Sequence, residues 1–137
     1  MLFRSPVYLH LGFMSTAFLA MVAGIVISRF FKNKKWWLKA HKGLGSAAVA
    51  MALLGIIIIA ISVQASGGPH FRVSHAFYGA AALVLLLSSP ALGFAIFKAK
   101  DKTMIPRIRK LHRWSGRITL VLMAAAMVAG FSLAGFF

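Results

Sequence analysis

Apolar residues fall into four long stretches along this chain, and polar residues gather in the short segments between them. The stretches cover residues 6–31, 41–63, 73–97 and 111–137. An α-helix rises about 1.5 Å per residue, so each stretch is long enough to cross the roughly 30 Å hydrocarbon core of a bilayer. The pattern therefore predicts four transmembrane helices and leaves no length for a soluble domain.

The segments between the stretches are short and predict how the helices are connected. They are a basic loop at 32–39, a Ser-Gly-Gly-Pro turn at 66–69 and a basic loop at 98–110. Loops of this length join neighbouring antiparallel helices. We therefore expect an all-α membrane protein whose single domain, residues 1–137, is an up-down antiparallel four-helix bundle. The first stretch is long and its basic cluster follows rather than precedes it, so we expect a retained helix and not a cleaved signal peptide.

Basic residues are divided unevenly between the two ends of this predicted bundle. The chain has sixteen Lys and Arg, a net charge of +15 and one acidic residue, Asp101. Only Arg4 and Arg72 lie at one end, so the positive-inside rule puts the other end in the cytoplasm and both termini on the outer, periplasmic side. We expect an integral protein of a bacterial inner membrane. The fourteen residues of the basic end are Arg29, Lys32, Lys34, Lys35, Lys39, Lys42, Lys98, Lys100, Lys102, Arg107, Arg109, Lys110, Arg113 and Arg117.

The composition excludes several kinds of chemistry. The chain has no cysteine, which excludes disulfides, covalent c-type haem, iron–sulfur clusters and a thiol nucleophile. A single carboxylate excludes catalysis by paired carboxylates. The basic residues lie at the ends of membrane helices, so we expect them to meet anionic lipid headgroups and not nucleic acid.

Four of the five histidines lie within about one turn of the start of a predicted helix, one in each helix. They are His10, His41, His75 and His112. Because the helices alternate in direction, His10 and His75 share the outer end, and His41 and His112 share the cytoplasmic end. A lone histidine there is usually an interfacial side chain, but an ionisable residue in a membrane helix is also a candidate functional group. In an up-down bundle each pair lies on diagonal helices, so the arrangement predicts a bis-histidine haem site at each end.

Glycines accompany three of these histidines. Gly45, Gly79 and Gly116 each follow a histidine by four residues and so lie on the same helix face. Glycine lowers helix stability by about 1 kcal/mol relative to alanine, so its placement here needs a reason. A flat macrocycle lying against the helix would be one. Packing of small residues between membrane helices is the alternative explanation. His10 has Met14 at this position, and we expect His70 to be a loop residue.

Glycines also recur further along the same helix faces. Gly24 and Gly55 follow the histidines of their helices by fourteen residues, and Gly93 and Gly130 follow theirs by eighteen. Both spacings return near the starting angle at about 100° per residue. Each helix thus offers a ligand at one end and a small residue at the other.

The ligand pattern favours haem over other metal centres. Zinc catalysis needs about three converging ligands with an open position, and copper favours Met or Cys close to His. A haem with two axial histidines has no vacant position on iron, so its chemistry is outer-sphere electron transfer. Helices of about 20 residues with ligands near each end place the two irons on the order of 20 Å apart.

The histidine segments resemble those of the cytochrome b561 superfamily. The residues that carry this resemblance are His41-x-x-x-Gly45, His75-x-x-x-Gly79 and the run Leu111-His112-Arg113-Trp114-Ser115-Gly116-Arg117. The resemblance implies a four-helix core with two non-covalent b-type haems that carries electrons across the membrane from donors such as ascorbate or quinol. It also implies that His41 and His112 hold the cytoplasmic haem and that His10 and His75 hold the outer one. Many members have two additional flanking helices, which this chain lacks, and it has no recognisable donor motif.

Three basic side chains lie beside the cytoplasmic histidines and admit two interpretations. In the first, the whole basic run from Lys98 to Arg117 fixes the topology and contacts anionic lipid, at roughly 1 kcal/mol per basic residue. In the second, Lys42, Arg113 and Arg117 pair with haem propionates or guide an anionic reductant.

The sequence thus predicts a di-haem membrane cytochrome that moves single electrons between a cytoplasmic or quinol donor and an outer acceptor. A quinone-linked oxidoreductase, or a one-haem subunit of a larger complex, is one alternative. A haem-free membrane subunit is another, so whether the chain is itself an enzyme stays open. Short loops leave little surface for a soluble partner, and we therefore expect a redox partner within the membrane.

Overall fold

The computed structural model describes residues 4–71 and 73–135, except for the side chain of Arg4. These residues form four helices and no strand: α1 (Arg4–Phe30), α2 (Trp37–Ala65), α3 (Ser74–Lys98) and α4 (Ile105–Leu133). All four are long and apolar enough to cross a membrane. The predicted all-α, four-helix membrane architecture is confirmed. The charges of Arg4 and Arg72, which were counted at the outer end, lie outside the described part of the chain.

The helices pack as two hairpins. The first hairpin is α1 against α2 and the second is α3 against α4, with smaller contacts from α1 to α4 and from α2 to α3. Between the described residues, no close backbone contact joins α1 to α3 or α2 to α4. Those two pairs are therefore diagonal across the bundle. We call the end with the α1–α2 and α3–α4 loops the basic end, and the opposite end the terminal end.

The helix boundaries differ most from the expectation at the start of α4. This helix begins at Ile105, six residues before the predicted apolar stretch, and Pro106 lies in its first turn. Proline is favourable there because the first helical N–H groups have no partner within the helix. At the terminal end, α2 closes with Gly67 at φ +67°, a conformation that glycine adopts without steric cost.

The core between the helices consists mainly of small residues. Ala17, Ala48, Ala52 and Ala82 are buried together with a few larger apolar side chains. Small side chains let membrane helices approach closely, which gives van der Waals contact in the absence of a hydrophobic driving force. Large apolar side chains point outward instead and are suited to contact with lipid. Examples are Leu19, Ile61, Val84 and Val121.

Candidate cofactor sites

The four histidines at the helix starts lie as two facing pairs, one at each end of the bundle. At the terminal end the ring centroids of His10 and His75 are 6.0 Å apart, with their planes at 90°. At the basic end those of His41 and His112 are 5.9 Å apart, also at 90°. Each pair joins diagonal helices and so bridges the two hairpins.

Every one of these rings is oriented by a hydrogen bond within its own hairpin. Each Nδ1 contacts a backbone carbonyl of the partner helix, and a carbonyl oxygen only accepts, so Nδ1 carries the proton. In a neutral imidazole Nε2 then holds a lone pair and is the metal-binding atom. The four bonds run from His10 to Gly55 (2.9 Å), His41 to Gly24 (2.9 Å), His75 to Ala126 (2.7 Å) and His112 to Ser89 (2.9 Å).

The four acceptor residues have one spacing in common. Each lies fourteen residues after the histidine of its own helix: Gly24 after His10, Gly55 after His41, Ser89 after His75 and Ala126 after His112. At 1.5 Å per residue, fourteen residues span about 21 Å along a helix. The two histidine pairs therefore lie at two levels about 21 Å apart. The sequence analysis singled out Gly24 and Gly55 as small residues and not as acceptors, and it did not single out Ser89 or Ala126, although the shared spacing is visible in the sequence.

The glycines eighteen residues after a histidine make room for the histidine of the partner helix. A Cβ atom added at Gly130 would lie 2.9 Å from Cε1 of His75, closer than real Cβ contacts. At Gly93 it would lie 3.3 Å from Cε1 of His112. These two glycines let each ring lie against the neighbouring backbone, within reach of its carbonyl acceptor.

The glycines four residues after a histidine have different surroundings. A Cβ atom at Gly45 or Gly79 would meet nothing within 4 Å, so open space adjoins both positions. At Gly116 it would be in ordinary contact with Oγ of Ser89, at 3.9 Å. No protein atom therefore occupies the space immediately beside Gly45 and Gly79.

An open cleft with a cavity volume of about 250 Å³ lies between the hairpins at the terminal end and contains both His10 and His75. Its other lining residues are apolar and include Met14 and Met123. Met14 fills the face position at which the other three helices have glycine.

The three basic side chains beside the basic-end pair are exposed. Nζ of Lys42 lies 4.3 Å from the ring centroid of Phe97, which connects α2 to α3. The guanidinium carbon of Arg117 lies 5.4 Å from the ring of Trp114 on its own helix. With Arg113, these residues keep positive charge near the pair, within reach of an anionic group. His70, by contrast, lies in the α2–α3 loop, where its Nε2 is 3.1 Å from Oε1 of Gln64.

Each pair fits an iron that receives its other ligands from a macrocycle. Within the described residues no three His, Cys, Asp or Glu side chains converge as a metal site. Two metal–nitrogen bonds of about 2 Å, with about 1.1 Å from each nitrogen to its ring centre, put the centroids about 6.2 Å apart. The observed separations of 6.0 and 5.9 Å are close to this. A planar tetradentate ring such as haem would supply the remaining four ligands.

Comparison with known proteins agrees with this chemistry. The family model described as eukaryotic cytochrome b561 matches residues 6–137, which is nearly the whole chain. No curated protein and no solved structure gave a significant match. The chain belongs to the cytochrome b561 family of membrane-embedded b-type cytochromes that transfer electrons.

Proposed function

We propose that this protein holds two b-type haems, one at each end of the bundle, and carries single electrons across the membrane between them. His10 and His75 are the axial ligands at the terminal end, and His41 and His112 are those at the basic end. The observation that carries the proposal is the geometry of the rings. Two pairs of imidazoles, each with Nδ1 donating to a carbonyl, face each other at levels about 21 Å apart.

The residues of the chain have separable tasks in this proposal. A haem with two histidine ligands supplies one-electron chemistry without a vacant coordination position. The carbonyl acceptors fix the tautomer and orientation of each histidine, which also makes Nε2 a stronger donor. Gly45 and Gly79 leave room for the macrocycle, whereas Gly116 is not required for close approach, since a Cβ there would make only an ordinary contact. The chain is thus a carrier and not a catalyst acting on a substrate bound to iron.

The direction of the bundle in the membrane follows from charge. We place the basic end in the cytoplasm and both termini on the periplasmic side of a bacterial inner membrane, with residues 1–137 as one domain. Fourteen of the sixteen basic residues support this orientation. Anionic lipid surrounds the basic end, and the outward apolar side chains contact the acyl chains.

The donor and acceptor are proposed by chemical class. Lys42, Arg113 and Arg117 keep positive charge beside His41 and His112, which suits haem propionates and an anionic, ascorbate-like reductant. A quinol in the membrane is the second class of donor that the family suggests. The acceptor is a redox partner at the outer side, and the short loops favour a subunit that is itself in the membrane.

The test is the haem content of the purified protein and of three histidine variants. A pyridine haemochrome assay should give about two haems per chain. His10→Ala and His112→Ala should each lose one haem, and the two losses should differ in their spectra. His70→Ala is the matched control, because it removes an exposed loop histidine, and it should keep both haems. One haem per chain would restrict the function to one side of the membrane. A purified protein that contains no haem would overturn the proposal.

A further inference from the structure

Hydroxyl side chains are buried beside one of the four histidines. Among the described residues the buried polar side chains are Ser89, Ser115 and Thr119, and all three lie in the second hairpin. They occupy the part of α3 and α4 that surrounds His112. Thr119 bonds within its own helix, to the carbonyl of Ser115 at 2.8 Å. Ser89 and Ser115 make contacts between the two helices.

His112 has two oxygen atoms of a single residue within reach of its Nδ1. The carbonyl oxygen of Ser89 lies at 2.9 Å and the hydroxyl oxygen of Ser89 at 3.5 Å. Because the carbonyl must accept, Nδ1 carries the proton, and the hydroxyl oxygen of Ser89 can therefore act only as a second acceptor, at the limit of hydrogen-bond distance. For His10, His41 and His75 the described Nδ1 bond reaches a single backbone carbonyl.

The position of Ser89 is held by the surrounding backbone and by α4. Pro90 follows it inside α3 and has no N–H to donate, which removes one helical hydrogen bond from this turn. The hydroxyl of Ser115 donates from α4 to the carbonyl of Leu85 at 3.3 Å. The turn that carries Ser89 is thus tied directly to the helix that carries His112.

We propose that Ser89 is a positioning residue that lowers the reduction potential of the basic-end haem through His112; this inference rests on the proposed function. A second acceptor on Nδ1–H increases the electron density at Nε2 and makes the ring a stronger ligand. Adding one electron to the haem iron breaks no bond in the protein and lowers the charge on the metal. The stronger ligand therefore favours the oxidised, more positive state, and hydrogen bonding near the iron is one of the factors that set such potentials.

The test compares two adjacent serines by spectroelectrochemical titration of both haems. Ser89→Ala removes the hydroxyl near Nδ1 and keeps the carbonyl. When this variant is held at the wild-type midpoint potential of the basic-end haem, the ratio of reduced to oxidised basic-end haem should be about threefold higher than in wild type. This corresponds to a midpoint potential raised by about 28 mV, at 59 mV per tenfold change for one electron. Ser88→Ala is the matched control, because its hydroxyl bonds to Leu85 and not to His112. It should leave both potentials unchanged, and His112→Ala identifies the basic-end haem by its loss.

A conservative variant completes the design. Ser89→Thr keeps the hydroxyl and should keep the wild-type potential. The inference is overturned if Ser89→Ala binds both haems with unshifted potentials, if Ser88→Ala shifts the basic-end haem equally, or if Ser89→Thr behaves like Ser89→Ala. A wild-type protein without haem would overturn the proposed function as well, and that result is distinct from an unshifted potential.

Discussion

Because Gly130 has no Cβ atom, the ring of His75 can approach α4 closely. The Nδ1 of His75 lies 2.7 Å from the carbonyl oxygen of Ala126, and one turn further along α4 the ring lies over Gly130. Both contacts depend on the same short distance between the ring and the backbone. Gly130 is therefore part of the terminal-end site although it offers no ligand atom.

Gly130→Ala should displace His75 and weaken haem binding at the terminal end. The added Cβ would lie 2.9 Å from Cε1 of the ring, so the ring or the helix must move. Overpacking of this kind typically costs about 1–3 kcal/mol, more than the roughly 1 kcal/mol that alanine gains over glycine in a helix. The haem-to-protein ratio should fall from about two toward one, with the basic-end spectrum unchanged.

Gly24→Ala is the control for this prediction. Its Cβ would lie 3.7 Å from Nδ1 of His41, an ordinary contact distance, so the variant should keep both haems and equal or exceed the wild type in thermal stability. Loss of haem from both variants would mean that helix packing in general, and not the close contact at His75, governs binding.

The histidines were predictable from the sequence, whereas their acceptors were only partly so. An ionisable side chain in an apolar stretch is conspicuous, and one in each helix at matching depth is more so. Every residue has a carbonyl group, so an acceptor carries no residue-type signal unless glycine marks it. Gly24 and Gly55 were noticed as small residues and not as acceptors, and Ala126 was not noticed at all.

At the level of helices, hydropathy located all four elements but not the start of α4. The segment 105–110 contains three basic residues and falls outside any apolar stretch, yet Arg and Lys are good helix formers and Pro106 suits a first turn. Hydropathy detects the part of a helix that lies in the bilayer and not the part beyond it. The basic side chains Arg107, Arg109 and Lys110 are therefore presented on a helix and not on a loop.

The loop before α4 is organised by the only carboxylate in the chain. Oδ1 of Asp101 accepts hydrogen bonds from the backbone N–H of Thr103 at 2.8 Å and from its hydroxyl at 2.7 Å. These two bonds stabilise the ionised form and lower the pKa of Asp101 below its usual value. The carboxylate is therefore ionised, and the turn formed, at neutral pH.

The turn at Asp101 should open under acid conditions. Because the pKa of Asp101 is lower in the folded state, its contribution is present above the unfolded pKa of about 4 and is lost as the pH falls through the folded pKa. Hydrogen exchange at the Thr103 amide, corrected for its intrinsic pH dependence, should show protection that declines over this window. The Lys34 amide donates to the carbonyl of Phe31 at 2.9 Å in the other basic-end loop and is the internal control. Asp101→Asn should remove the pH dependence, and equal declines at both amides would contradict the assignment.

Across the whole molecule, charge and cofactor chemistry are arranged along the same axis. Each hairpin contributes one histidine to each pair, so both sites lie between the hairpins, where direct helix contacts are smallest. The terminal-end cleft is lined by apolar residues apart from its histidines, whereas the basic-end pair has Lys42, Arg113 and Arg117 beside it. The two ends are alike in the geometry of their histidines but differ in the described residues that lie beside them. An anionic donor should therefore react at the basic end.

Removing the two arginines that follow His112 within five residues should slow reduction by an anionic donor. In Arg113→Ala/Arg117→Ala, stopped-flow reduction of the basic-end haem by ascorbate should be several-fold slower than wild type at low ionic strength. The rates should converge as salt shortens the screening length from about 30 Å at 0.01 M to about 3 Å at 1 M.

Arg107→Ala/Arg109→Ala removes the same charge earlier on α4, from side chains that are also exposed. This control separates the charge of Arg113 and Arg117 from the net charge at this end of α4: if those two arginines guide the donor, the control should slow less. Equal effects of the two double variants would reduce the role of these arginines to net charge, and a salt-independent rate would show that the donor is not guided by charge.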